Sequence, residues 1–178
     1  TCCKNCSMGP CRLPLPKSGI DGEDTRKGLC GASANTIAAR NFIRMIAGGA
    51  AAHSDHGRGV AEVFLSAARK ESEDYKIKDT IKLLAIAPFF NVAPPVEVDG
   101  APVDRDMDEI ALEVAKKAIE EWGKSEGELL YLQRAPKLLY EKWKKHGVLP
   151  RNIDREIVEI MHRTHIGVDQ DYKNLMKQ

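Results

Sequence analysis

The sequence predicts a mainly α fold: a helical domain preceded by a cysteine-rich loop. Three observations carry this. All five cysteines, Cys2, Cys3, Cys6, Cys11 and Cys30, lie in the first thirty of 178 residues. Apolar residues recur at helical spacing in several later segments, and the alternating patterns that mark strands are few. The chain divides accordingly into a cysteine-rich region, residues 1–31, and a helical domain, residues 32–178. Hydrophobic residues make up 43% and charged residues 30%, which fits a globular chain and argues against disorder. A chain of this length buries roughly 70% of its unfolded surface, so it needs no cross-links to fold. Lys and Arg number 27 against 26 Asp and Glu, for a formal net charge of +1, which removes the electrostatic case for a general nucleic-acid binder. No apolar run approaches the roughly 20 residues of a membrane span, and the longest candidate, residues 83–90, is broken by Pro88. The chain opens on Thr-Cys-Cys-Lys, without a signal peptide or an initiator Met. The expectation is that residue 1 is not the natural start and that the chain is a piece of something longer.

Residues 12–29 read as loop, with two prolines, three glycines and alternating charge. A helix begins near Gly31, with Ile37, Arg40, Asn41 and Arg44 on one side and Phe42, Met45 and Ile46 starting another. Gly48-Gly49 is expected to weaken it and Gly57 and Gly59 to interrupt it, before Val60, Phe64, Ala67 and Ala68 form an amphipathic helix ending near Glu71. The small residues 48–52 suggest close approach of another backbone or a cofactor. Asp79 to Ala87 reads as a short helix, and the prolines at 88, 94, 95 and 102 as loop or extended chain. Asp104 or Asp106 is a good N-cap for residues 107–122, where Ile110, Val114, Ala118 and Trp122 form an apolar stripe. Another helix covers residues 129–146, kinked or restarted at Pro136. After Pro150, Ile153, Ile157, Ile160, Met161 and Thr164 recur at helical spacing, and residues 151–178 are expected to run as a helix. Trp122 and Trp143 read as core.

A disulfide framework would use an even number of cysteines spread along the chain. Here the number is odd and they crowd at one end, as Cys3-x2-Cys6-x4-Cys11-x18-Cys30. Three thiolates within nine residues converge on one centre if the backbone turns sharply, and Gly9-Pro10 supplies the turn. Four thiolates fit a structural zinc or an iron–sulfur cluster. The uneven spacing, and the lack of a second Cys-x2-Cys knuckle, lean toward a cubane cluster. Cys2 is left over. Adjacent residues on an extended chain point to opposite sides, so Cys2 and Cys3 are expected to serve different centres. Cys2 is then either a free thiol or a surface ligand to a cluster completed by a second chain.

His53 and His56 lie one helical turn apart and share a face. Such a pair can bind a metal or pass protons, or it is two surface or cap-forming histidines. His162 and His165 repeat the spacing on an amphipathic stretch, where packing or hydrogen bonding within the fold accounts for them. No Walker loop, GxGxxG or GxSxG is present.

The combination is recognisable. Cys2-Cys3-Lys4-Asn5-Cys6-Ser7-Met8-Gly9-Pro10-Cys11-Arg12, then Lys27-Gly28-Leu29-Cys30-Gly31-Ala32, resembles the amino-terminal region of the anaerobic nickel–iron–sulfur carbon monoxide dehydrogenases. The segments Ala34–Asn41, Ala51–Gly57 and Pro150–Asp169 extend the match, with a more variable middle. The resemblance implies a homodimeric oxidoreductase that converts CO and water to CO2, two protons and two electrons, or runs in reverse. It implies a [4Fe–4S] cluster on Cys3, Cys6, Cys11 and Cys30, and Cys2 as one ligand to an intersubunit iron–sulfur cluster whose other cysteine lies upstream. His53 and His56 match the start of a histidine ladder for proton transfer, and further along Gly59 and Glu62 stand where relatives continue it. Residues around Pro14, Pro16, Gly19 and Gly22 mark an insertion relative to many members. The catalytic nickel–iron–sulfur cluster takes its ligands from domains beyond residue 178, so no catalytic residue is expected here and the segment alone is not expected to oxidise CO. The implied partners are a second copy of the chain, a redox protein such as a ferredoxin, and acetyl-CoA synthase. A cytoplasmic location fits the low use of cysteine elsewhere. A hybrid-cluster (prismane-type) protein, or a stand-alone ferredoxin-like or zinc-stapled module, is the alternative reading.

Overall fold

The computed structural model describes residues 1–102 and 105–178. They form two units, residues 1–52 with 153–178, and residues 53–152. The first unit begins with a minimal hairpin. Strand β1 (Cys2–Cys3) pairs antiparallel with β2 (Cys11–Arg12), placing Cys2 opposite Arg12 and Cys3 opposite Cys11. Mutual backbone bonds between Thr1 and Leu13 extend the ladder. The connecting turn contains the cis Gly9–Pro10 peptide, and the Gly9 amide donates to the Cys6 carbonyl at 3.2 Å.

Helix α1 (Ala34–Ala68) is opened by Ser33, whose hydroxyl accepts from the Thr36 amide at 3.2 Å. It is continuous for 35 residues, contrary to the expectation that its glycines interrupt it. Each helical glycine costs about 1 kcal/mol relative to alanine. That cost weakens a helix without ending it where residues on either side are docked. In the first unit Ala39, Ile43 and Ala47 pack with Ile160 of α5 (Ile153–Arg163) and Leu175 of α6 (Tyr172–Leu175). Cys3, Leu13, Ala32 and Ile37 form a second apolar cluster. Residues 151–178 are not one helix. The Arg163 guanidinium binds the Asp169 carboxylate at 2.6 Å across the turn after α5, and Asp171 caps α6 by accepting from the Lys173 and Asn174 amides.

In the second unit, α2 (Thr80–Ile86) is capped by Asp79 and followed by a 3-10 turn, Ala87–Phe90. A short hairpin pairs β3 (Glu97–Val98) with β4 (Ala101–Pro102). The cap candidate Asp104 lies outside the described residues. Asp106 caps α3 (Met107–Gly123), its carboxylate accepting from the Glu109 amide at 2.7 Å. Ile110, Ala111, Val114 and Ala115 of α3 pack with Ala68, Leu83, Ala87 and Val92 to make the core. Trp122 is half-buried, donating to the Ser54 hydroxyl at 3.0 Å. A 3-10 turn, Leu130–Arg134, precedes α4 (Lys137–His146), so Pro136 restarts the helix rather than kinking it. Trp143 is only half-buried, and α4 contributes no buried residue. No helix among the described residues is long and apolar enough to cross a membrane.

Candidate metal centre

The hairpin register decides which cysteines can meet. Cys3 and Cys11 sit directly across from each other, and strand alternation turns Cys2 to the other face. Cys3, Cys6, Cys11 and Cys30 line one cavity of about 220 Å3 in the first unit, together with Asn5, Ile37, Arg40 and Thr164. Cys2 does not line it, and its carbonyl accepts from Asn41 Nδ2 at 2.8 Å. None of the five cysteines is in a disulfide. Glycine allows the close approach. A Cβ at Gly28 would lie 3.3 Å from the Cys11 Cβ and 3.5 Å from its Sγ. A Cβ at Gly9 would lie 3.1 Å from the Cys3 carbonyl and 3.3 Å from the Cys11 amide nitrogen. Gly31, next to Cys30, takes φ +88°, a conformation that side chains resist.

The polar surroundings favour negative charge. Arg40 Nη1 donates to Cys30 Sγ at 3.4 Å, and Gln170 Nε2 donates to the Cys30 carbonyl at 2.8 Å. Burial pushes the Cys30 thiol up, but bonds from Arg40, the Ala32 backbone and Gln170 outweigh it and hold the thiol below its ordinary range. Thiolate is the form that ligates metal. Arg40 Nε and Asn5 Nδ2, on two residues that line the cavity, are buried donors without an acceptor among the described residues. A zinc site would draw its sulfurs to about 2.3 Å from a single point. Among the described residues no three His, Cys, Asp or Glu side chains are drawn together closely enough to hold a metal ion. Four cysteines lining one cavity fit the donor set of a cluster, whose sulfurs would accept from the spare donors.

His53 and His56 are exposed on α1 within the second unit, and neither lines the cysteine cavity. His162 and His165 are also exposed, and His165 Nδ1 donates to the Asn5 carbonyl at 3.0 Å, a structural role as expected. The roles of Arg40 and Asn5 were not foreseen from sequence. The available signal was a charged residue at helical spacing among Ile37, Ile43 and Ala47.

A sequence profile of the prismane/CO dehydrogenase family matches residues 1–178. The chain belongs to that family. Carbon monoxide dehydrogenase 1 of Methanosarcina acetivorans is 44% identical over 176 residues, 98% of this chain and 26% of that protein. Carbon monoxide dehydrogenase 1 of Carboxydothermus hydrogenoformans is 40% identical over 184 residues, again 98% of this chain and 26% of the relative. Among solved structures, a nickel-free carbon monoxide dehydrogenase from Thermococcus sp. AM4 superposes with a TM-score of 0.84 at 47% identity, covering 99% of this chain and 26% of that one. An acetyl-CoA synthase/carbon monoxide dehydrogenase, described with NiZn[Fe4S4] and NiNi[Fe4S4] clusters in its alpha subunits, superposes at 0.81 with 36% identity over 99% of this chain and 25% of that one. The chain thus spans about a quarter of the length of the relatives it matches.

Proposed function

We propose that this chain is the electron-relay and dimerisation segment of a carbon monoxide dehydrogenase, holding a [4Fe–4S] cluster on Cys3, Cys6, Cys11 and Cys30. The observation that carries the reading is the single cavity lined by those four cysteines, beside a buried arginine. Cluster binding falls to residues 1–31 and the helical framework to residues 32–178, of which 32–52 and 153–178 share a unit with the cysteine loop. A bound cubane supplies one-electron storage, with thiolate ligands, hydrogen bonds and exposure setting its potential. The chain's residues hold four thiolates around one space, favour their ionised form at Cys30, and wall the space with Ile37 and Ala32.

Cys2 gives one thiolate to a cluster shared with a second copy of the chain. Two features support that: Cys2 is turned from the cavity, and Phe42, Met45 and Ile46 of α1, in the same unit, are 45%, 68% and 50% exposed. His53 and His56, exposed and one turn apart, begin a proton path. CO oxidation with water releases two protons and two electrons, so both exits are needed. The nickel–iron–sulfur site belongs to parts of the enzyme beyond this chain, as do the contacts to a ferredoxin or an acetyl-CoA synthase, and the whole works in the cytoplasm. The test is Cys6→Ala in the full chain, prepared anaerobically with iron and sulfide. The reading expects loss of the cubane signal with the fold retained, and an undiminished signal contradicts the ligand set.

A further inference from the structure

No ion pair with a carboxylate accounts for the burial of Arg40 among the described residues. It is the largest fully buried side chain among the described residues, 1% exposed, on a buried stripe of α1 with Thr36, Ile37, Ile43 and Ala47, and the one charged member of that set. A guanidinium stays charged at any ordinary pH, so its burial is costly unless a negative charge answers it. Among the described residues no carboxylate answers it, and Cys30 is its one contact of acidic character. Nη2 donates to the Asp169 backbone carbonyl, Nη1 donates to Cys30 Sγ at 3.4 Å, and Nε has no acceptor. The Asp169 carboxylate is engaged elsewhere, by Arg163 at 2.6 Å and by the Asp171 amide at 2.9 Å. Asn5 Nδ2, on another residue of the same cavity wall, is also buried without an acceptor. The wall therefore carries a full positive charge and two spare donors beside four thiols.

We propose that Arg40 is the buried counter-charge of the cluster held by Cys3, Cys6, Cys11 and Cys30, a positioning residue that raises the potential at which the relay accepts its electron. The inference rests on the cluster reading above. In the reduction step one electron enters from an external donor, no bond forms or breaks, and the cluster–thiolate assembly gains one negative charge. A fixed cation in a low-dielectric interior stabilises that added charge more than the state before it. The unsatisfied Asn5 amide, donating to sulfur, acts in the same direction. Cys30, to which Arg40 donates, is the thiolate through which this field acts most directly.

The experiment compares the full chain with Arg40→Met and Arg40→Lys, each reconstituted anaerobically with ferrous iron and sulfide. Iron and sulfide content, the midpoint from a redox titration followed by electron paramagnetic resonance, and the melting temperature of the metal-free chain are measured. The expected result is a cluster in the parent, a shift to lower potential in Arg40→Met, and recovery of most of that shift in Arg40→Lys. The metal-free Arg40→Met chain is expected to stay folded, since it sheds a buried charge as well as the two bonds to Asp169 and Cys30, so the potential is read on an intact chain. A folded Arg40→Met chain that loses the cluster, with loading restored by Arg40→Lys, equally supports the counter-charge. An unchanged potential in a loaded Arg40→Met chain overturns it. So does loss of loading that Arg40→Lys fails to restore, or a metal-free Arg40→Met chain that is unfolded, since Arg40 would then be a strut. A parent that takes up no cluster overturns the cluster reading itself, and with it the basis for this role.

Discussion

At Thr164 a fully buried hydroxyl accepts from Arg44 Nε at 2.7 Å and donates to the Ile160 carbonyl at 2.6 Å. It joins α5 to α1 beside the cysteine cavity, which it also lines. Thr164→Val keeps the shape but leaves the Arg44 donor unanswered, and should cost about 1–3 kcal/mol in urea denaturation. A loss of under a few tenths would show that water replaces the bond. Helical spacing puts Thr164 on a stripe with Ile157, Ile160 and Met161, but nothing in the residue order reveals a partner 120 positions away. The cysteines were legible because their chemistry is rare and their spacing short. The opposite facing of Cys2 and Cys3 was legible too, since strand alternation alone dictates it. Arg40 was seen only as a helix-face residue. Its burial depends on the turn that brings Asp169 and Cys30 to it, a tertiary fact.

Among the elements, those with a local stop or start signal were readable. Asp79 and Asp106 cap helices as their side-chain chemistry requires, and Pro136 restarts one. Helix α1 was not readable as one piece, because glycine lowers helix propensity without encoding the packing that overrides it. The glycines of α1 differ in a testable way. A Cβ at Gly59 would meet nothing within 4 Å, whereas one at Gly57 would lie 3.4 Å from Trp122 Cζ2. Gly59→Ala should therefore stabilise the chain by about 0.5–1 kcal/mol, and Gly57→Ala should gain less or nothing. Thermal melts of both variants compare them directly. Equal gains at the two sites would mean that Trp122 yields freely. Helix α6 escaped sequence reading because four residues show no periodicity, and only the Asp171 cap announces it.

Over the whole molecule, the apolar clusters of the two units are distinct sets of residues. Ile110, Val114, Leu83 and Val92 anchor one, while Ile37, Cys3 and Leu13 pack against the cysteine loop in the other. Removing a cluster held by the four cysteines should therefore affect the units unequally. Hydrogen exchange after chelation should show lost protection in β1, β2 and the first turns of α1, with α3 unchanged. Equal loss in α3 would show that the cluster supports both units alike. The near-neutral charge of +1 told against nucleic acid as a partner, but the family was readable only through motifs at both ends of the sequence.

Iron, zinc and acid-labile sulfide analysis of the full chain, purified anaerobically under iron-replete conditions, with electron paramagnetic resonance after dithionite reduction, decides whether the four cysteines hold a cubane. About four irons and four sulfides per chain, with the signal of a reduced cubane, are expected. One zinc per chain with no labile sulfide would contradict a cubane, leaving the four cysteines as a structural staple.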